Sequence, residues 1–325
     1  MKRLNNLYQQ ICSTENLLQA ETKAIRGKRK QFGVKLHLQQ RELNLQELQR
    51  LLITKTFKTS KYTTFKVYEP KEREVYRLPF FPDRIAHHAI MNVLEPVFIS
   101  AFTADTYSCI KKRGVHAAHR AIKKALLDVE GTTYCLQLDI KKFYPNVDHA
   151  ILKQLLRRKF KDKDLLWFLD EIIDSAPGLP IGNYLSQYLA NFYLTPFDHW
   201  IKEVKRRRYY FRYADDLILF GATKEELHAL LHEIKSYLKD NLNLELKGNY
   251  QVFKVEDRGV DVLGYKYFHT HVLLRKRNKQ KMARAIARNK PASTIASYLG
   301  QAKHANTKTL INKLLYGRKT CGKKI

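Results

Sequence analysis

The stretch YYFRYADDLILF (Tyr209–Phe220) sets two adjacent carboxylates between two apolar, aromatic-rich runs. Tyr209, Tyr210 and Phe211 favour strand, as do Leu217, Ile218, Leu219 and Phe220, which leaves Tyr213-Ala214-Asp215-Asp216 to make a turn. The stretch therefore reads as a β-hairpin with acid at its tip. Along a straight strand, neighbouring side chains point to opposite faces, so Asp215 and Asp216 converge on one site only if the backbone bends there. Unpaired acids between buried strands are costly, and a divalent cation would remove that cost. A solvated Asp-Asp turn is the plainer reading, so the choice rests on what else the chain supplies.

Working outward, Gly178-Leu179-Pro180-Ile181-Gly182-Asn183 is a turn-rich loop that opens a helix through Tyr193. Gly182, Ser186 and Ala190 give that helix a narrow face, suited either to a flat ligand or to a close helix contact. Downstream, Thr223-Lys224-Glu225-Glu226 is a capping box that starts a helix to about Leu242. Upstream, Tyr134 to Ile140 (YCLQLDI) is a short strand that delivers Asp139 at its end, ahead of Lys141-Lys142-Phe143-Tyr144-Pro145. Asp148 caps the next helix, Ile151 to Phe160, and Leu165 to Ile173 is helical as well. Strand, helices, hairpin, helix and strand in this order suit a split βαβ sheet with helices on one face. There Asp139, Asp215 and Asp216 form one acidic cluster.

The flanks are read more coarsely. Met1 to Leu52 is helix-prone around the basic patch Arg26-Gly27-Lys28-Arg29-Lys30, which is either a solvated face or a phosphate contact. Tyr62 to Leu78 reads as a hairpin about Pro70-Lys71 that presents Lys71 and Arg73. Asp83 to Phe98 and Val115 to Val129 are helical, with His87 and His88 as packing or surface residues. Gln251 to Phe268 is a strand region containing Leu263-Gly264-Tyr265, and the tail from Leu273 is helix-prone and basic.

The 325 residues carry 60 Lys+Arg against 31 Asp+Glu, a formal net charge of +29. Such a balance calls for a polyanionic partner, nucleic acid first. No apolar run is long enough to span a bilayer and no secretory signal follows Met1, so a cytoplasmic protein with no membrane partner is expected. Cys12, Cys109, Cys135 and Cys321 show no paired spacing for zinc or a redox dithiol.

In this setting Asp139–Tyr144 (DIKKFY), Gly178–Gln187, Tyr213-Ala214-Asp215-Asp216 and Leu263-Gly264-Tyr265 resemble, in order, motifs A, B and C and the primer grip of reverse transcriptases. The resemblance covers about Lys61 to the C-terminus. It implies an α+β right-hand polymerase with an N-terminal helical extension (1–60), fingers (61–131), a ferredoxin-like palm (132–270, with part of the fingers inserted near 155–185) and a helical basic thumb (271–325). Ile181-Gly182 with Ser186-Gln187 is similar to the motif B of diversity-generating retroelement enzymes. Glu15-Asn16-Leu17-Leu18, Gly27-Lys28-Arg29 and Gly300-Gln301-Ala302-Lys303-His304-Ala305 are also similar to that group.

The family resemblance implies an RNA-directed DNA polymerase of prokaryotic or phage origin that copies a template RNA into cDNA and takes part in mutagenic retrohoming. A phage-defence reverse transcriptase and a silent RNA-binding scaffold are the alternatives. Two Mg2+ ions, with Mn2+ as substitute, would be held by Asp139, Asp215, Asp216 and the carbonyl of Ile140. Lys71 and Arg73 would hold the triphosphate, with Tyr144 as steric gate against a ribose 2′-hydroxyl. Ile181, Gly182 and Gln187 would line the nascent pair. Lys247 is the candidate general acid, although the usual Pro-Glu-Lys pattern is missing. Ile181, unable to hydrogen-bond where accurate relatives carry an amide, should lose part of the geometric check on pairing, and the resemblance to diversity-generating enzymes implies frequent errors opposite adenine. The implied partners are template RNA, a primer-template duplex, dNTPs and a small basic accessory protein.

Overall fold

The computed structural model describes residues 3–68 and 72–317. Its first strands form a hairpin, β1 (Thr63–Val67) and β2 (Arg73–Arg77), paired antiparallel from Thr63↔Arg77 to Val67↔Arg73. The central sheet consists of β3 (Tyr134–Asp139), β4 (Tyr210–Tyr213), β5 (Asp216–Gly221) and β6 (Gln251–Lys254). Their spatial order is β4-β5-β3-β6 and every pair is antiparallel. The connections run strand, helices, hairpin, helix, strand, so the first and last strands of the motif lie side by side and the hairpin sits beside the first.

Strand alternation divides the residues of this sheet between two cores. Leu136, Leu138, Leu217, Leu219 and Tyr210 join a core with Leu189, Tyr193 and Phe197 of the helix Tyr184–His199 and with Leu227, Leu231 and Ile234 of the helix Lys224–Leu242. Cys135, Phe211, Ile218 and Phe220 turn the other way. They pack with Ala118 and Ile122 of the helix Val115–Ala125 and with Val260, Val262 and Tyr265. The expectation of helices on one face is therefore incomplete. Both faces of β3 and β5 carry apolar residues, so both must be covered.

Part of the second cover is a separate three-stranded sheet, β7 (Val260–Val262), β8 (Tyr265–Tyr267) and β9 (Val272–Leu274). The single strand region expected over 251–268 is broken by a short helix, Val255–Arg258, and by Gly259 at φ 69°. The helix-prone tail also begins later than expected. Val272–Leu274 pairs with β8 and buries Val272 and Leu274, and the helices Lys276–Ala287, Ala292–Ala302 and Lys308–Tyr316 follow.

Capping fixes the element ends where the sequence placed it. The Asp148 carboxylate accepts from the Ala150 and Ile151 N–H groups ahead of the helix His149–Lys159, and Thr223 with Glu226 closes a reciprocal box on Lys224–Leu242. At the N-terminus the helices Tyr8–Cys12 and Thr14–Ile25 pack against Ile85–Ala101, while Phe32–Gln39 and Arg41–Ile53 meet the Phe80–Arg84 segment ahead of it, with buried Glu21 held by Arg41 and His37. Among the described residues no helix is long and apolar enough to cross a membrane. Cys12, Cys109 and Cys135 are free thiols, and Cys321 lies outside the described residues.

Candidate active site

The register of β3 on β5 decides where the acids go. Asp139 pairs with Asp216 at the end of the ladder, after Leu138 with Leu217, so both carboxylates leave the sheet on the face of Cys135 and Ile218. Tyr213 pairs with Asp216, which leaves Ala214 and Asp215 as a two-residue turn. Ala214 takes φ 55°, a left-handed conformation that costs a non-glycine residue about 1 kcal/mol. The bend required for Asp215 and Asp216 to serve one site is therefore present. The Asp215 carbonyl in turn accepts from the Ile140 N–H at 3.3 Å, tying the turn to the end of β3.

Burial and mutual repulsion mark this cluster. Asp216 is pushed up to about 6, first by burial and then by Asp215 and Asp139, with Arg275 and Lys247 opposing. Asp215 is raised by burial and Asp139, against Lys247 and Arg73. Asp139 has a direct counter-charge: the Lys247 ammonium lies 2.5 Å from Oδ2, and the Lys247 N–H donates to the Asp139 carbonyl at 2.9 Å. Its Oδ1 is buried without a hydrogen-bond partner. Among the described residues no three His, Cys, Asp or Glu side chains stand close enough together to enclose an ion. An orphaned carboxylate oxygen beside two crowded carboxylates is nevertheless a hard-oxygen donor set that suits a divalent cation.

The loop at 178–183 packs against this end of the sheet. Leu179 N–H donates to the Tyr144 carbonyl at 2.8 Å, and a Cβ on Gly178, at φ 59°, would fall 2.5 Å from that oxygen. The Ile181 carbonyl accepts from Tyr76 N–H of β2 at 2.8 Å, and Gly182, at φ 123°, lies against the Tyr76 carbonyl. The hairpin carrying Arg73 is thereby docked on Ile181-Gly182. Tyr144 packs on Phe143 with ring centroids 5.6 Å apart. Burial raises its phenol, with smaller electrostatic contributions from Cys109, Asp215, Arg212 and Arg73. Gln187 is half-buried on the following helix, and Lys71 lies outside the described residues.

Leu263 (φ 55°) and Gly264 (φ 87°) form the tight turn between β7 and β8. The Gly264 carbonyl accepts from Arg275 N–H at 3.0 Å and from Asn278 Nδ2 at 3.2 Å, and the Tyr265 hydroxyl donates to the Gln301 carbonyl at 2.9 Å. This turn is thus seated on the C-terminal helices. Arg275, which acts on Asp216, is also paired with Asp261.

Sequence reading missed Arg212, which is fully buried behind the turn. Its guanidinium donates to Asp198 through Nε at 2.8 Å and Nη2 at 2.5 Å, to Asn191 Oδ1 through Nη1 at 2.9 Å, and to the Ala214 carbonyl at 3.2 Å. A usable signal was present: Asn191 and Asp198 lie seven residues apart on one face of a largely buried helix, where they need polar partners.

Residues 69–267 match the family model for reverse transcriptase (RNA-dependent DNA polymerase). Protein YkfC of Escherichia coli is 26% identical over 68% of this chain and 69% of its own length. The group II intron-encoded protein LtrA of Lactococcus lactis subsp. cremoris is 26% identical over 40% of this chain but only 23% of its own. In fold, telomerase from Candida tropicalis in complex with a fragment of telomeric RNA superposes with a TM-score of 0.52 at 11% identity, over 85% of this chain and 58% of that one. With more than half of its length inside the matched region, this chain belongs to the reverse transcriptase family of RNA-directed DNA polymerases.

Proposed function

We propose that the chain copies a template RNA into cDNA by metal-assisted phosphoryl transfer at Asp139, Asp215 and Asp216, as a right-hand polymerase whose palm is the central sheet. The observation that carries this reading is the Asp139–Asp216 register beside the buried, partnerless Oδ1 of Asp139. Asp139, Asp215, Asp216 and the carbonyl of Ile140 would hold two Mg2+ ions. Bound there, the ions would stabilise charge on the attacking and leaving oxygens of the displacement. Arg73 meets the triphosphate charge, and Tyr144 closes the space beside the sugar against a 2′-hydroxyl. Lys247, whose ammonium lies 2.5 Å from Asp139, would supply a proton to the leaving pyrophosphate.

The finer assignment is an error-prone enzyme of a diversity-generating retroelement, working with a structured RNA and a small basic accessory protein. Ile181 supports it: an apolar side chain on the loop that carries β2 makes no hydrogen-bonded check on the nascent pair. The excess of 60 Lys+Arg over 31 Asp+Glu suits phosphate contacts along a duplex, with affinity that falls steeply with salt.

The test is to sequence cDNA made by the purified protein with Mg2+, dNTPs and a primed RNA template, with Asp215→Ala as control. Errors clustered opposite adenine, reduced in Ile181→Gln, are expected. Faithful cDNA would leave the polymerase and remove the retroelement assignment. No Asp215-dependent product, even with accessory protein and native RNA, would point to a scaffold.

A further inference from the structure

The catalytic turn rests on a buried polar assembly in which each member is held by two or more segments. Asp198, itself fully buried, takes Nε and Nη2 of Arg212, the Tyr210 hydroxyl at 2.6 Å and the Thr106 hydroxyl at 3.0 Å. Asn191 accepts from Arg212 Nη1 and donates through Nδ2 to the Ser108 carbonyl at 2.8 Å. The backbone of Arg212 is clamped too: its N–H donates to the Asp105 carbonyl and its carbonyl accepts from Tyr107 N–H, both at 2.9 Å. That clamp covers the outer edge of β4, which would otherwise be open.

One bond of this assembly leaves it. Arg212 Nη1 reaches the Ala214 carbonyl at 3.2 Å, and that carbonyl belongs to the peptide joining Ala214 to Asp215. Ala214 is the residue held at φ 55°. A left-handed alanine persists only where its surroundings over-determine it, and here the fixed guanidinium fork supplies the constraint. An ion pair buried so completely is weak evidence for stability and better evidence for fixing one geometry.

We propose that Arg212 is a positioning residue for catalysis: anchored by Asp198 and Asn191, it orients the Ala214–Asp215 peptide and so aims the Asp215 carboxylate at the divalent cation. This rests on the metal-assisted reading above and adds a residue that touches neither metal nor nucleotide. Lysine at 212 keeps a charge for Asp198 but lacks the planar fork needed to serve Asp198, Asn191 and Ala214 together.

Three variants test it: Arg212→Lys, the same change combined with Ala214→Gly, and Tyr210→Phe. Tyr210→Phe removes a different bond to Asp198 and leaves the turn alone. The readouts are Mn2+ binding without nucleotide by electron paramagnetic resonance, the Mg2+ concentration at half-maximal rate, kcat, dNTP KM and duplex affinity. For Arg212→Lys, we expect metal affinity to fall roughly tenfold and kcat by about 10- to 100-fold, with duplex affinity unchanged and dNTP KM within about twofold. Glycine at 214 takes positive φ without penalty, so the double variant recovers much of the metal affinity. Tyr210→Phe loses thermal stability but keeps the metal response of the parent.

Wild-type metal binding and kcat in Arg212→Lys would overturn the proposal, as would an equal metal defect in Tyr210→Phe. If Arg212→Lys fails to bind duplex, Asn191→Ala takes its place, freeing Nη1 without stranding a charge; unchanged metal affinity there overturns the proposal. A parent protein without Asp215-dependent cDNA would instead defeat the polymerase reading.

Discussion

Asp139 and Asp216 stand directly opposite each other in the β3–β5 ladder, two like charges at one cross-strand position. Directly opposed like charges destabilise a sheet, and Asp215 adds a third at the neighbouring turn. A fold that keeps this arrangement carries a local cost that a bound cation would relieve.

That cost has a pH signature. Asp216 is raised from 3.8 to about 6 in the folded state. The folded protein thus binds the proton more tightly than the unfolded chain, and stability falls as pH rises between about 4 and 6. Above that window the penalty, on the order of 3 kcal/mol, remains. Asp216→Asn removes it. In metal-free buffer the variant should gain melting temperature over the parent at pH 7 and show little difference near pH 4. Added Mg2+ should raise the parent more than the variant at pH 7.

The Lys247 ammonium stands 2.5 Å from the Asp139 carboxylate. Removing the ammonium while keeping the chain's bulk, as in Lys247→Met, leaves a partly buried carboxylate unpaired. The metal-free protein should lose roughly 1–2 kcal/mol, and saturating Mg2+ should recover most of it. Thermal melts with and without Mg2+ check this. If Lys247 also supplies the leaving-group proton, kcat falls while dNTP KM holds.

The elements that place the acids were legible because their signals are local. Alternation delivers Asp139 at the end of β3, aromatic and branched residues flank the 213–216 turn, and Thr223-Glu226 announces its helix. Longer-range features were not. Arg212 reads in sequence as one more cation, and only the fold brings Asp198 and Asn191 around it. β9 was hidden because three apolar residues before a basic helix do not differ from a helix start, and β8 alone makes them a strand. Lys247 meets Asp139 because residues 245–247 run antiparallel along 139–141, a pairing with no marker of its own.

Gly182 ties β2 to the loop that follows β3 in space. At φ 123°, with the Tyr76 backbone carbonyl directly over its α-carbon, it has no room for a methyl group and no strain-free alternative. Gly182→Ala should cost about 1–3 kcal/mol locally and loosen the hairpin that carries Arg73. The expected kinetic outcome is a rise in dNTP KM of about tenfold with duplex affinity unchanged, read from steady-state rates and a duplex titration. An unchanged KM would mean that Arg73 is not held over the nucleotide by this contact.

Gly264 makes the corresponding joint between the second sheet and the C-terminal helices. It takes φ 87°, and a Cβ there would meet Asn278 Nδ2 at 2.7 Å and Gln301 Nε2 at 3.0 Å. Both neighbours are ends of flexible side chains and can retreat, so the main penalty of Gly264→Ala is the positive φ itself, about 1 kcal/mol. The turn would relax and slacken the bonds its carbonyl accepts from Arg275 N–H and Asn278 Nδ2. Duplex affinity should therefore fall severalfold at moderate salt. The slope of log affinity against log salt should also become shallower, because fewer cations of the C-terminal helices meet phosphates together. The rate at saturating duplex should stay near that of the parent, since Asp139, Asp215 and Asp216 are untouched. Duplex titrations across a salt series, with single-turnover rates at saturation, separate these quantities: a parallel salt line with a lower rate would place Gly264 in the chemistry of the acids and not in the grip.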